Sequence, residues 1–196
     1  MPLADLEVPP YDAAVPREVR AFLREAGRRI ERFRRPGRIP AFVPSDFEGA
    51  YNVLRCLAAS GLARGDLLCE WGSGFGIVTC LAAMLEFDAS GVEIERELVG
   101  EARRLAAHFE LPVEFVCGSF IPPGHPADAD DFAWLSTDAA GEMDLAPDDF
   151  DVVFAYPWPD EEHFVRDLFE RHCAVGAVLV THHGGEAFRM CRKTAG

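Results

Sequence analysis

Two acidic side chains and three glycines carry the most specific chemistry in this sequence. In Leu67-Leu68-Cys69-Glu70-Trp71-Gly72-Ser73-Gly74-Phe75-Gly76-Ile77 an apolar run meets an acid and then alternating glycines. Glycines in such a place let a ligand lie against bare backbone, and the helix that follows turns its amide-rich N-terminus toward the same point. Glu93 ends the next apolar run, Gly91-Val92-Glu93, 23 positions after Glu70. There a carboxylate can accept both hydroxyls of a ribose. The pair predicts a ligand that contains a nucleoside. The loop has neither the G-x-G-x-x-G of a dinucleotide site nor the Gly-Lys-Ser/Thr of a Walker loop. Glu70 would repel a pyrophosphate and suits a cationic amino group.

An acid followed by x-G-x-G-x-G, with a second acid ending the next strand, resembles the class I S-adenosylmethionine-dependent methyltransferases over about Phe42 to Thr181. The resemblance implies S-adenosyl-L-methionine as cofactor. By it, Glu70 lies near the methionine portion, Gly72, Gly74 and Gly76 form the floor, and Glu93 binds the ribose. Ile94 is expected on an adenine face. Ser119, in Cys117-Gly118-Ser119-Phe120, stands where the family often has an acid on the adenine amino group and keeps one hydrogen bond for that role.

The acceptor side is expected after the apolar run Phe150 to Ala155, at Tyr156-Pro157-Trp158-Pro159. Family enzymes acting on nucleic-acid amino groups often carry Asp/Asn-Pro-Pro-Tyr/Phe/Trp there. Here Ala155 replaces the acid or amide, which disfavours an adenine or glutamine acceptor. Tyr156 and Trp158 are the expected substrate-binding residues, and Tyr156 and His182 the expected catalytic ones. Phe42-Val43-Pro44-Ser45 ahead of a helix bears a looser similarity to small protein-lysine methyltransferases that include the ATP synthase c-subunit enzyme. That similarity implies a lysine amine of a basic protein or peptide as methyl acceptor, ahead of a small molecule, with nucleic acid last. A cofactor-binding interaction module without turnover is the alternative from another class. No His/Cys pattern has metal-ligand spacing, and displacement at a sulfonium carbon requires no metal.

These residues need a scaffold, and the order of patterns supplies one. Short apolar runs at 67–69, 89–92, 113–117, 152–155 and 177–181 alternate with helical periodicity at 77–86, 97–109 and 161–173, and a last strand fits around 187–192. Such alternation predicts an α/β fold, a doubly wound and mostly parallel Rossmann-like sheet with helices on both faces. Ahead of it, Val19, Phe22, Leu23, Ala26, Ile30 and Phe33 recur at steps of three and four, predicting an amphipathic helix over 16–35. Ser45 and Glu48 fit a capping box for a second helix that Gly61 closes. The expected division is an N-terminal arm and helical cover, 1–61, and a cofactor-binding domain, 62–196.

The chain has 196 residues and a formal charge of −14, unevenly spread. Residues 17–38 hold nine Arg against Glu18, Glu25 and Glu31, net +6, while residues 39–196 are net −17. An acidic body repels phosphate backbones and attracts cationic partners. The apolar stripe of the arginine helix must bury somewhere, on this body or on a second copy in a homo-oligomer. Six scattered cysteines without a C-x-x-C pair suit a reducing cytoplasm. No run approaches the length of a membrane span. Residues 121–149, with four prolines and eight acids, are long for a connection and fit a lid or a solvated acidic excursion.

Overall fold

A computed structural model describes residues 2–10, 12–33, 46–122, 145–158, 161–184 and 187–195. The helix-forming and strand-forming patterns resolve into seven strands and five helices among these residues. In chain order they are β1 (Leu3–Leu6), α1 (Arg17–Phe33), α2 (Phe47–Ser60), β2 (Leu67–Trp71), α3 (Ile77–Ala83), β3 (Asp88–Glu93), α4 (Arg96–His108), β4 (Glu114–Cys117), β5 (Val152–Ala155), α5 (Glu162–His172), β6 (Val178–His182) and β7 (Phe188–Lys193).

All seven strands form one sheet in the order β1-β7-β6-β5-β2-β3-β4. The pairs β2–β3, β3–β4, β2–β5 and β5–β6 are parallel, and β7 runs antiparallel to both β6 and β1. From β2 the chain moves outward to β3 and β4, then returns to β5 on the other flank of β2. That reversal opens a crevice at the carboxyl ends of the central strands, where α/β sheets bind ligands. The expected α/β architecture is therefore observed, with one addition: the arm at residues 3–6 supplies the edge strand, and Thr194 is tied to it by two hydrogen bonds to Pro2 O.

Side-chain alternation along the strands sorts the core into two faces. Leu68, Phe154, Val178 and Val180 pack with Val53, Leu54 and Leu57 of α2 and Val78 and Ala82 of α3. Cys69, Val153, Ala155 and Leu179 pack on the other side with Val165, Leu168 and Phe169 of α5. The arginine helix is amphipathic as expected. It buries Val19, Phe22, Ala26, Ile30 and Phe33 against Leu81 of α3 and Leu98, Ala102 and Leu105 of α4. The stripe thus finds its partner on the chain's own body. Two edge-on aromatic pairs fix it, Phe22 on Phe109 at 5.1 Å and Phe33 on Phe75 at 5.2 Å.

Helix α2 begins one residue later than the capping-box reading. Its N-cap is Asp46, whose side chain accepts a hydrogen bond from Gly49 N at 3.0 Å, and its C-cap is Gly61 with φ +66°. Ser45 and the Val43-Pro44 motif lie outside the described residues, as does most of 121–149. At the amino ends of β2 and β5, Arg64 bonds Asp151 at 2.6 Å while Asp151 accepts from Leu67 N, which locks the register far from the crevice.

Candidate active site

The crevice is a single cavity of about 580 Å³, within the range that holds a small-molecule ligand. Every parallel strand sends a loop to it: residues 72–74 after β2, 94–95 after β3, 118–120 after β4, 156–158 after β5 and 183–184 after β6, with Phe47 of α2 closing one side.

At one end sit the two expected carboxylates, both buried. Glu70 Oε2 accepts from Thr79 N at 2.8 Å and from Thr79 Oγ1 at 2.5 Å. It therefore faces the first turn of α3, where free amides favour an anion. Burial nevertheless pushes Glu70 up to about 8, against the lowering hydrogen bonds from Thr79 and with the Glu93 charge adding to the rise. Glu93 Oε2 accepts from Gly74 N at 2.8 Å and Oε1 from Glu95 N at 2.8 Å. Burial raises its pKa as well, opposed by those backbone bonds. Glu93 thus holds the glycine loop in shape, and each of its oxygens keeps a lone pair for a further donor.

Gly72, Gly74 and Gly76 all have positive φ, at +74°, +54° and +65°, a region L-residues rarely enter. Their surroundings differ. Gly72 and Gly74 line the cavity, and a Cβ on Gly72 would meet open space. Gly76 was expected on the cofactor floor, but it lies outside the cavity lining. A Cβ there would overlap the Phe115 ring and come within 2.9 Å of Ala102. It is the N-cap of α3, and its bareness serves packing of that helix on α4 and β4.

Ile94 and Ser119 line the cavity with Leu98 and Phe120. The Ser119 hydroxyl accepts from Ile121 N at 3.1 Å, closing its own turn, and its O–H remains a donor. Phe120 stacks on Trp71 with centroids 5.4 Å apart.

The other end of the cavity is walled by Tyr156, Pro157 and Trp158, with Glu161, Glu162 and His183. Trp158 is 46% exposed, an aromatic at a mouth and not in a core. Glu161 Oε2 accepts from Trp158 N at 3.2 Å, and partial burial raises its pKa. His182 was expected here and is not in the lining. Its ring is 1% exposed and packs between Tyr156, at 4.5 Å, and Phe188, at 4.6 Å. The reason is strand phase: His182 shares a face with Val178 and Val180, while Thr181 and His183 share the opposite one. His183 is the histidine that reaches the cavity. Its Nδ1 donates to Glu162 Oε1 at 2.5 Å, Nε2 lies 2.8 Å from Thr181 Oγ1, and Arg189 donates to Glu162 Oε2 at 2.9 Å. Both ring nitrogens are engaged, so His183 links β6 to α5.

Sequence reasoning missed Thr79, Gly91 and Ser73. A Cβ on Gly91 would come within 2.8 Å of Ser73 Cβ and Thr79 Oγ1, so the glycine loop and α3 can approach β3 only there. A glycine inside a strand pattern is the signal for such an approach. For Thr79 the signal is its place as the third residue of the helix after the loop. Among the described residues no His/Cys/Asp/Glu group could hold a metal. All six cysteines are free, and burial pushes Cys80 and Cys173 up to about 12, far from thiolate chemistry. No helix of the described residues is long and apolar enough to cross a membrane.

The seven-strand sheet order with its flanking helices forms a Rossmann-like methyltransferase fold, and solved structures agree. A methyltransferase from Geobacter sulfurreducens superposes with a TM-score of 0.57 at 17% identity, covering 93% of each chain. An RNA methyltransferase from Salinibacter ruber, in complex with S-adenosyl-L-homocysteine, gives 0.54 at 21% identity over 78% of this chain and 93% of that one. An O-methyltransferase from Bacillus cereus, also in complex with S-adenosylhomocysteine, gives 0.54 at 15% identity over 87% and 67%. No protein-family model matches the chain, and no curated protein does.

Proposed function

We propose that this chain binds S-adenosylmethionine and transfers its methyl group to an amine, with a lysine of a basic protein or peptide as acceptor. The observation that carries the reading is the continuity of one cavity from the Glu70–Glu93 end to the Tyr156–Trp158–Glu161 end.

The residues present fit the cofactor. Ser73 Oγ is buried in the loop with no hydrogen-bond partner, a donor and acceptor left for a ligand. Gly72 and Gly74 offer bare backbone, Glu93 keeps acceptor capacity for a ribose, and Glu70 offers a carboxylate to a cationic amino group. Ile94, Leu98 and Phe120 give apolar walls suited to a purine. When bound, S-adenosylmethionine supplies an electrophilic methyl carbon on a positively charged sulfur, and its displacement rests on alignment and exclusion of water.

The acceptor end favours a cation. Tyr156 and Trp158 bring aromatic rings to the lining and Glu161 a carboxylate, a combination that attracts an ammonium group. The ammonium, with an ordinary pKa of about 10.4, must lose a proton before its lone pair can attack. Glu161, with its raised pKa, is the group in the lining best suited to take it. The acidic body outside residues 17–38 draws a basic polypeptide to the mouth. Transfer of a labelled methyl group from S-adenosylmethionine to fractionated lysate tests the reading. Label in protein, stable to alkali as methyl-lysine is, agrees with it; label confined to RNA or to small molecules contradicts the acceptor.

A further inference from the structure

Helix α1 has two faces of opposite chemistry, and only one is used by the fold. The apolar face is buried on α3 and α4. The other carries Arg17, Arg20, Arg24, Arg28 and Arg32, all exposed, at steps of three and four along roughly 22 Å of helix. Glu31, exposed within the same row, and Glu25 offset part of this charge, Glu25 pairing Arg28 and Arg29 at 2.9 Å and Arg32 at 3.7 Å. Arg20 donates to Val15 O at 2.7 Å. No ion pair among the described residues engages Arg17 or Arg24. Beside the row, between α1 and α4, lies a recess of about 390 Å³ lined by Arg29, Arg32 and Arg104 with Glu25, Glu101 and Phe33.

We infer that the exposed face of α1 is a docking surface for the phosphate backbone of a single-stranded nucleic acid. A row of arginines at helical spacing matches a linear polyanion, whose charges repeat along one line and accept bidentate hydrogen bonds from arginine. A second copy of the chain fits the row less well. Its carboxylates are spread over a globular surface and not along one line, and the local charge of +6 over residues 17–38 supplies the attraction for phosphate that the acidic body lacks. The surface is separate from the cavity, none of whose lining residues belongs to α1. Docking therefore tethers the enzyme without presenting a base for methylation, and a basic protein seated on nucleic acid would engage both surfaces at once.

Fluorescence polarisation of a labelled single-stranded RNA oligonucleotide of mixed sequence, titrated with the full chain at stepped salt, tests this. Wild type should bind, with affinity falling as salt rises. The triple variant Arg17→Gln, Arg24→Gln, Arg28→Gln should lose at least tenfold in affinity, and its log–log salt slope should be shallower by about 2, from ~0.7 per phosphate contact. Its thermal unfolding should match wild type, because these side chains lie outside the core. Absence of salt-dependent binding by wild type, or equal binding by the triple variant, would overturn the inference. So would a dimer in sedimentation that the triple variant dissociates while RNA binding is absent.

Discussion

Glu70 and Glu93 place two carboxylates in one buried site, and their electrostatics give a testable pH dependence. In the folded chain Glu70 titrates at about 8 against an ordinary 4.5, with burial as the main cause. Between those values the folded state binds more protons than the unfolded one. The Glu70 contribution to the stability of the ligand-free protein therefore falls as pH rises from about 4.5 to about 8. Glu93 shifts in the same direction. In urea unfolding at stepped pH, Glu70→Gln should be more stable than wild type near pH 8 and should flatten this slope; an unchanged slope would remove Glu70 from the account. At the other end of the cavity, Trp158→Ala should leave thermal stability and cofactor affinity unchanged while lowering methyl transfer at least tenfold. An exposed ring contributes little to a core, so loss of stability would contradict the assignment to the acceptor entrance.

At the scale of elements, the glycine loop is held from three sides. Glu93 binds the Gly74 amide, Phe115 fills the space beside Gly76, and Phe33 of α1 packs edge-on against Phe75. Gly76→Ala should therefore destabilise the fold by about 1–3 kcal/mol in chemical unfolding, through the overlap with Phe115 and the left-handed backbone. Phe33→Ala should cost about 3 kcal/mol and also weaken cofactor binding, because the ring it touches belongs to the loop. The strands from β2 on, the helices and the carboxyl-edge location were legible in the sequence because period-2 and period-3.6 patterns and the Glu70–Glu93 spacing are local signals, whereas β1 exists only through its pairing with β7 at the other end of the chain. What was not legible depends on partners distant in sequence. Gly76 and Gly74 look alike in the motif, and only the Phe115 ring 39 residues later separates packing from lining. His182 and His183 are adjacent, and strand phase, which follows from the register of β6 against β5 and β7, decides which one faces the cavity. The cap at Asp46 in place of Ser45 is a shift of one residue between two good capping types.

For the whole molecule, the segments ahead of the glycine motif belong to the same cores as the sheet. Residues 3–6 complete its edge through β7, α1 lies over α3 and α4, and Phe47 of α2 walls the cavity. Removal of residues 1–7 should expose the β7 edge, lower the unfolding midpoint and promote aggregation. Cofactor affinity should persist, since every cavity residue remains. We propose that the cavity lined by Glu70 and Glu93 holds the nucleoside and methionine parts of S-adenosylmethionine. Isothermal titration of S-adenosylhomocysteine into the full chain tests it most directly, with Glu93→Gln as the paired variant. One ligand should bind per chain, with an affinity about tenfold weaker in Glu93→Gln, as charge-assisted hydrogen bonds become neutral ones. No binding by wild type, or the same affinity in Glu93→Gln with the fold intact, would contradict it.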